Sequence, residues 1–225
     1  MNMKKTVIAF ISSLLVLCGC SASQPASEEP VSEAETETAE TEETAEPEES
    51  VKKELLVYFS RAGENWDVGV VEKGNTRIAA EYIAEKTGAD VFEIIPVVPY
   101  PENYNETLAI AQEEKDNQAR PEIKNVVVNW ESYETIILGY PIWHGDLPII
   151  VYTFLESYDF TGKTVYPFNT HGGSGLAGTP DKIRAVIPGA DVRDGLALTG
   201  KTVQNDFGSV QPEIDARMQE NNLMQ

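Results

Sequence analysis

Three short stretches gather hydroxyl, amide, guanidinium, indole and imidazole groups at spacings that could serve one ligand. They are Ser60-Arg61 followed by Gly74-Asn75-Thr76, then Pro141-Ile142-Trp143-His144, then Thr170-His171-Gly172-Gly173-Ser174-Gly175. If a helix begins at Gly74-Asn75-Thr76, its unpaired N–H groups and the positive end of its dipole favour a phosphate, and the hydroxyl and amide side chains add uncharged donors. The second stretch ends the apolar run Thr135-Ile136-Ile137-Leu138 with an indole and an imidazole, where a planar ring could be buried away from water. Glycines in the third would let the backbone approach such a ring closely. Each stretch also has an ordinary explanation: Asn and Thr cap helices, a tryptophan can pack beneath a turn, and a glycine-rich segment can be a plain flexible loop. His144 and His171 are the only histidines in the chain. With an unperturbed pKa near ~6.5, either could change charge near neutral pH, and a negative charge close by would favour its protonated form.

The elements that must position these stretches follow from hydrophobic patterning. Leu55 to Phe59, Val91 to Ile95 and Thr135 to Tyr140 are nearly continuous apolar runs, as expected of strands buried on both faces of a parallel sheet. A fourth strand is expected at Val165 to Phe168, with Pro167 best placed near a strand end, and a fifth runs through Val192 to Leu198. Helical spacing marks Ile78 to Gly88, with the glycine as a C-terminal cap, and helices are expected over 103–120, 147–158 and 179–186 and near the C-terminus. Val126 to Val128 is ambiguous between a strand and a helical turn. Strands alternating with helices predict a doubly wound α/β sheet. The three stretches then follow the first, third and fourth strands, and ligands in such sheets bind outside the carboxyl ends of strands where strand order reverses.

Taken together, Tyr58-Phe59-Ser60-Arg61 with Gly74-Asn75-Thr76, Gly139 to Trp143, and Thr170 to Gly175 resemble the flavodoxin family, over roughly Glu54 to Gly200. The resemblance implies a flavodoxin-like three-layer sandwich around a five-stranded parallel sheet of order 2-1-3-4-5, and flavin mononucleotide (FMN) as cofactor. Carried over, Ser60, Arg61, Gly74, Asn75 and Thr76 would hold the phosphate. Pro141, Ile142, Trp143 and His144 would line the flavin ring, and Thr170, His171, Gly172, Gly173, Ser174 and Gly175 would meet its polar edge. The chain departs from the family's short phosphate turn by carrying Ala62 to Lys73, which could fold outward as a flap or displace Ser60 and Arg61. The function so implied is electron transfer between a donor and an acceptor that the sequence leaves unidentified. An NAD(P)H-dependent flavin or quinone reductase is the alternative enzyme, and a binding module for another phosphorylated ligand is a third reading.

The first fifty residues belong to another class of sequence. Lys4 and Lys5 precede an apolar run that reaches Leu17-Cys18-Gly19-Cys20, the layout of a secretory signal. Its end resembles the lipobox of bacterial lipoproteins, so residues 1–20 are expected to be a lipoprotein signal peptide with Cys20 carrying the lipid. The domain would then work outside the cytoplasm, anchored to the cell membrane. Residues 21–50 hold 11 Glu and no Lys, Arg, Asp or aromatic residue, a composition expected to form a disordered tether. With those glutamates and the two leader lysines set aside, residues 51–225 hold 26 acidic and 15 basic side chains, a net charge of −11 that disfavours nucleic acid as a partner. Cys18 and Cys20 are the only cysteines, so residues 51–225 offer no disulfide, thiol nucleophile or thiolate metal site. The Cys20→Ser variant is expected to lose metabolic incorporation of labelled fatty acid, and undiminished labelling would reject the anchor.

Overall fold

The computed structural model describes residues 53–224. The signal, the Cys20 site and the tether expected from the sequence lie outside them. Strands β1 (Lys53–Tyr58), β4 (Asp90–Glu93), β5 (Tyr133–Pro141), β6 (Thr164–His171), β7 (Asp191–Val192) and β8 (Leu196–Thr199) form one parallel sheet in the order β4-β1-β5-β6-β7, with β8 also on β6. Helices α1 (Asn75–Thr87), α2 (Tyr104–Asp116), α3 (Ile149–Ser157), α4 (Thr179–Val186), α5 (Gly200–Asn205) and α6 (Gln211–Glu220) pack on its two faces. Between β1 and α1 a two-stranded antiparallel hairpin intervenes, β2 (Gly63–Asn65) and β3 (Gly69–Val71).

The apolar strand runs are continuous because both faces are covered. Leu55, Val57, Phe59, Ile136, Leu138 and Tyr140 pack on one side with Phe154 and Leu155 of α3 and Ile183 of α4. Leu56, Tyr58, Ile137 and Phe168 alternate to the other side, against Ala79 and Ile83 of α1, Val203 of α5, and Ile214 and Met218 of α6. Gly88 ends α1 in the left-handed conformation, φ 69°, and its N–H bonds the Ala84 carbonyl.

The expected elements differ from the observed ones in three places. Helix α2 stops at Asp116 rather than at residue 120, and Val126 to Val128 is neither strand nor helix. The fifth strand is split, β7 and β8 sharing one edge of the sheet with Arg193 to Gly195 between them. Pro167 accordingly lies inside β6, opposite Leu138, and not at a strand end. The carbonyl of Val165 accepts from Arg193 N, so residues 165, 167 and 169 turn their polar backbone toward β7 and β8. The donor that proline lacks therefore falls where the edge strand is interrupted.

Gly139 is set by contact with β6. A Cβ there would lie 2.2 Å from Phe168 Cζ, inside the buried face shared with α1. Gly139→Ala is expected to lower stability by about 1–3 kcal/mol through overpacking, read as a reduced urea midpoint at unchanged slope. Adding Phe168→Leu should recover part of the loss.

Candidate functional site

A cleft of about 280 Å³ opens at the carboxyl ends of the central strands. Its floor is the junction of β1 and α1. Gly74 caps α1 without a side chain, and a Cβ on it would stand 2.4 Å from both Ser60 Oγ and the Arg61 carbonyl. This close approach brings the two ends of the twelve-residue excursion Ala62 to Lys73 together, so Ser60 still faces the helix start. Ser60 Oγ accepts the Arg77 N–H at 3.1 Å, and Ile78 N–H bonds the Gly74 carbonyl. The Asn75 and Thr76 amides, in the first helical turn, have no intrahelical acceptor. Thr76, almost wholly buried, shares a 2.8 Å hydroxyl–hydroxyl bond with Thr170 of β6. Only one of the two can donate in that bond, which leaves one hydroxyl hydrogen for a further acceptor. Asn75 Oδ1 is buried without a partner, and its Nδ2 is pressed by Gly200, where a Cβ would come within 2.5 Å.

Arg61 lines the cleft, but its guanidinium is committed elsewhere. Nη1 donates to the carbonyls of Pro101 and Glu102, at 2.9 and 3.1 Å, and Nη2 donates to the Glu64 carbonyl. Only Nε is left buried and unpartnered. Burial lowers the pKa of this group from its ordinary value, with Glu64 opposing. Arg61 thus fastens the hairpin to the segment before α2, and the cradle itself is made of neutral groups. Among the described residues, no carboxylate or ammonium lines the cleft.

The wall is the loop after β5. Trp143, His144, Gly145 and Asp146 make a tight turn closed by reciprocal backbone bonds of 2.9 Å between Trp143 and Asp146. His144 and Gly145 have φ of 47° and 68°, the pair of left-handed conformations that a type I′ turn requires. His144 Nε2 lies 2.9 Å from the Leu108 carbonyl of α2. The Asp146 carboxylate accepts from Leu147 N and Tyr152 Oη and pairs with Lys182 at 3.0 Å and Lys115 at 3.6 Å. The same two lysines also bond the carbonyls of Gly145 and His144, so α2 and α4 pin the turn from both sides. The Trp143 ring stands edge-on to Phe59 and Tyr100, with centroids 5.4 and 5.0 Å apart.

The third side is the end of β6 and the loop beyond. Thr170, His171, Gly172 and Ser174 line the cleft, whereas Gly173 and Gly175 do not. These two glycines bend the loop, with φ of 124° and 58°. His171 Nδ1 accepts the Gly173 N–H at 3.0 Å, which fixes the neutral ring as the Nε2–H tautomer. Burial holds its pKa below the usual 6.5.

Of the residues singled out in the sequence, Ser60, Arg61, Asn75, Thr76, Pro141, Ile142, Trp143, His144, Thr170, His171, Gly172 and Ser174 meet at this cleft. Gly74, Gly173 and Gly175 shape it from behind. Sequence reasoning missed Asn65, Tyr104, Thr107, Leu108, Gly145 and Gly200 and left the role of Trp66 open. Tyr104, Thr107 and Leu108 share one face of α2 at helical spacing, just after Asn103, whose side chain caps that helix by accepting from Glu106 N. Gly200 follows the last strand, where the rule of carboxyl ends would have pointed.

A family model described as flavodoxin matches residues 53–211, and the chain belongs to that family. It is similar to a protein from Bacteroides eggerthii described as a flavoprotein, with 29% identity over 70% of this chain and 97% of that one and a TM-score of 0.56. A Bacteroides uniformis protein described in the same way gives 28% identity over 70% and 98%, with a TM-score of 0.54. A flavoprotein from Lactobacillus acidophilus, solved in complex with FMN, shares the fold at 23% identity over 68% and 97%, with a TM-score of 0.53. No curated protein sequence matches the chain.

The bond from Gly173 needs the Nδ1 lone pair, so protonation of His171 favours the unfolded chain. Because burial depresses the folded-state pKa, this contribution is present above about pH 6.5 and lost as pH falls through the lower folded value. Urea unfolding followed from about pH 8 to about pH 5 should show a decline in stability that is shallower in His171→Gln than in the parent.

Proposed function

We propose that the chain is an FMN-binding electron-transfer protein held outside the cytoplasm by a lipid on Cys20. The observation that carries this reading is a cradle of neutral donors at the start of α1, facing an aromatic, pinned turn across one cleft. Ser60 and the first-turn amides of α1 would hold a phosphate through the helix dipole and hydroxyl hydrogen bonds rather than a paired cation. The unpartnered Asn75 Oδ1 is an acceptor suited to a hydroxyl of a linking chain, and Arg61 Nε is a spare donor. Trp143 and Ile142 offer the ring an apolar surface, and the Lys115–Asp146–Lys182 cluster holds that surface still. FMN when bound supplies the redox chemistry, and the chain supplies orientation and electrostatics. The L. acidophilus protein of the same fold, solved with FMN, agrees with this assignment. The membrane half of the proposal rests on the Leu17-Cys18-Gly19-Cys20 pattern and the acidic segment after it.

Protein expressed from Val51 onward is expected to show flavin absorbance, and the flavin released on denaturation should be FMN. Extracted FAD, or a colourless protein that FMN does not stain, would reject the reading. Replacing Thr76 by Ala should weaken FMN by about 2- to 10-fold, on the order of the one hydrogen bond removed, while affecting riboflavin much less. Equal losses for both flavins would place the phosphate elsewhere.

A further inference from the structure

The hairpin β2–β3 has no part in the cradle, the wall or the glycine loop, yet it meets the cradle, the start of α2 and the glycine loop. Its ends are Arg61 and Gly74, the residues that close the cradle, so it stands directly on the proposed phosphate site. Its base is fastened to the start of α2. Glu64 N–H bonds the Glu102 carbonyl at 2.8 Å, and Glu64 Oε2 accepts from Tyr104 N and Asn103 Nδ2. Its tip reaches the opposite bank, where the Trp66 indole lies against Gly172 so closely that a Cβ there would be 2.5 Å from Trp66 Cδ1. Next to it, Asp67 pairs with Lys201 of α5 at 3.2 Å. Trp66 lines the cleft while remaining 62% exposed. An indole held across a cleft mouth with so much of its surface in water is poorly explained by core packing, because Trp143 already fills the aromatic corner with Phe59 and Tyr100.

We propose that residues 62–73 form a specificity strap, which lays Trp66 on the outer side of a bound mononucleotide and closes the route that a second nucleotide joined through the phosphate would take. The inference rests on the flavin reading and adds to it a device for choosing the ligand. Gly172 is the strap's receiving surface. Its backbone φ lies outside the left-handed range, so the requirement for glycine there is one of space for the indole. The Asp67–Lys201 pair is exposed and worth little in itself, which leaves the indole–glycine contact as the closure that matters.

The test compares the parent protein with Trp66→Ala, Trp66→Phe, Gly172→Ala and the Trp66→Ala/Gly172→Ala double variant, using FMN, FAD and riboflavin as probes. Urea unfolding of each apoprotein checks that it is folded, which is expected because Trp66 is largely exposed. Trp66→Ala should weaken FMN by about 5- to 150-fold, the range for losing an aromatic surface from a stacked base, and should narrow the preference for FMN over FAD. Trp66→Phe should retain most of the parent's affinity. Gly172→Ala should weaken FMN in the parent background and add nothing when Trp66 is already Ala, since its effect acts through the indole. Parent-like FMN affinity in Trp66→Ala overturns the strap while leaving the proposed function standing. Weakened FMN with an unchanged preference over FAD overturns the exclusion of a second nucleotide. A Gly172→Ala cost that persists without Trp66 overturns the closure. A parent that binds no flavin overturns the proposed function itself, and the strap with it.

Discussion

The architecture of the cleft depends on there being no side chain at residue 74. The chain leaves the sheet at Ser60, makes a twelve-residue excursion and returns to within van der Waals range of its departure point, which a Cβ at Gly74 would block with 2.4 Å contacts. That close return lets a long insertion coexist with an intact helix start. Loop-closure entropy grows only slowly with length, so an excursion of this kind costs little once its ends are held. The hydrogen bonds of Arg61 and Glu64 to Pro101, Glu102, Asn103 and Tyr104 supply the hold. The same bonds give the guanidinium a structural occupation, so that only its Nε is left for anything else in the cleft.

The opposite wall is fixed by different means. Asp146 collects two lysines, a tyrosine hydroxyl and a backbone amide, and the two lysines also bond the carbonyls of His144 and Gly145. With its charge and lone pairs engaged, Asp146 can sit near the cleft without presenting a free carboxylate to an anion. His144 tolerates the left-handed conformation of the turn better than a β-branched residue would, so part of its value at this position is backbone geometry and not imidazole chemistry. Such a turn holds an aromatic surface in place before any ligand arrives, which is what preorganisation requires.

Most of the fold was legible because a parallel sheet buried on both sides leaves a plain record: continuous apolar runs at Leu55 to Phe59 and Thr135 to Tyr140, separated by helical spacing. The departures arise where a distant contact decides the outcome. Pro167 reads as a residue for a strand end until β7 and β8 are seen to leave a gap opposite it. Asn169, wholly buried with both side-chain polar atoms unpartnered, carries no signal in sequence beyond its neighbours in the motif. At the site, residues on the loops after strands could be found by the rule of carboxyl ends. Tyr104, Thr107 and Leu108 could not, because the thin apolar stripe of α2 does not reveal which face turns inward. The withdrawal of Arg61 from the cradle was equally hidden, since its acceptors are backbone carbonyls, two of them some forty residues away, and carbonyls have no letter code.

All the strands of the main sheet point the same way, and this gives the domain a front and a back. The cleft lies at the carboxyl ends, whereas β1 begins with Lys53 at the amino end of the sheet. The first described residue of the domain therefore lies at its back. Six residues of β1, rising about 3.3 Å each in a parallel strand, put roughly 20 Å of packed sheet between that residue and the cleft. Whatever enters the cleft does so at the end of the sheet opposite Lys53, so the first described strand and the open mouth face away from each other.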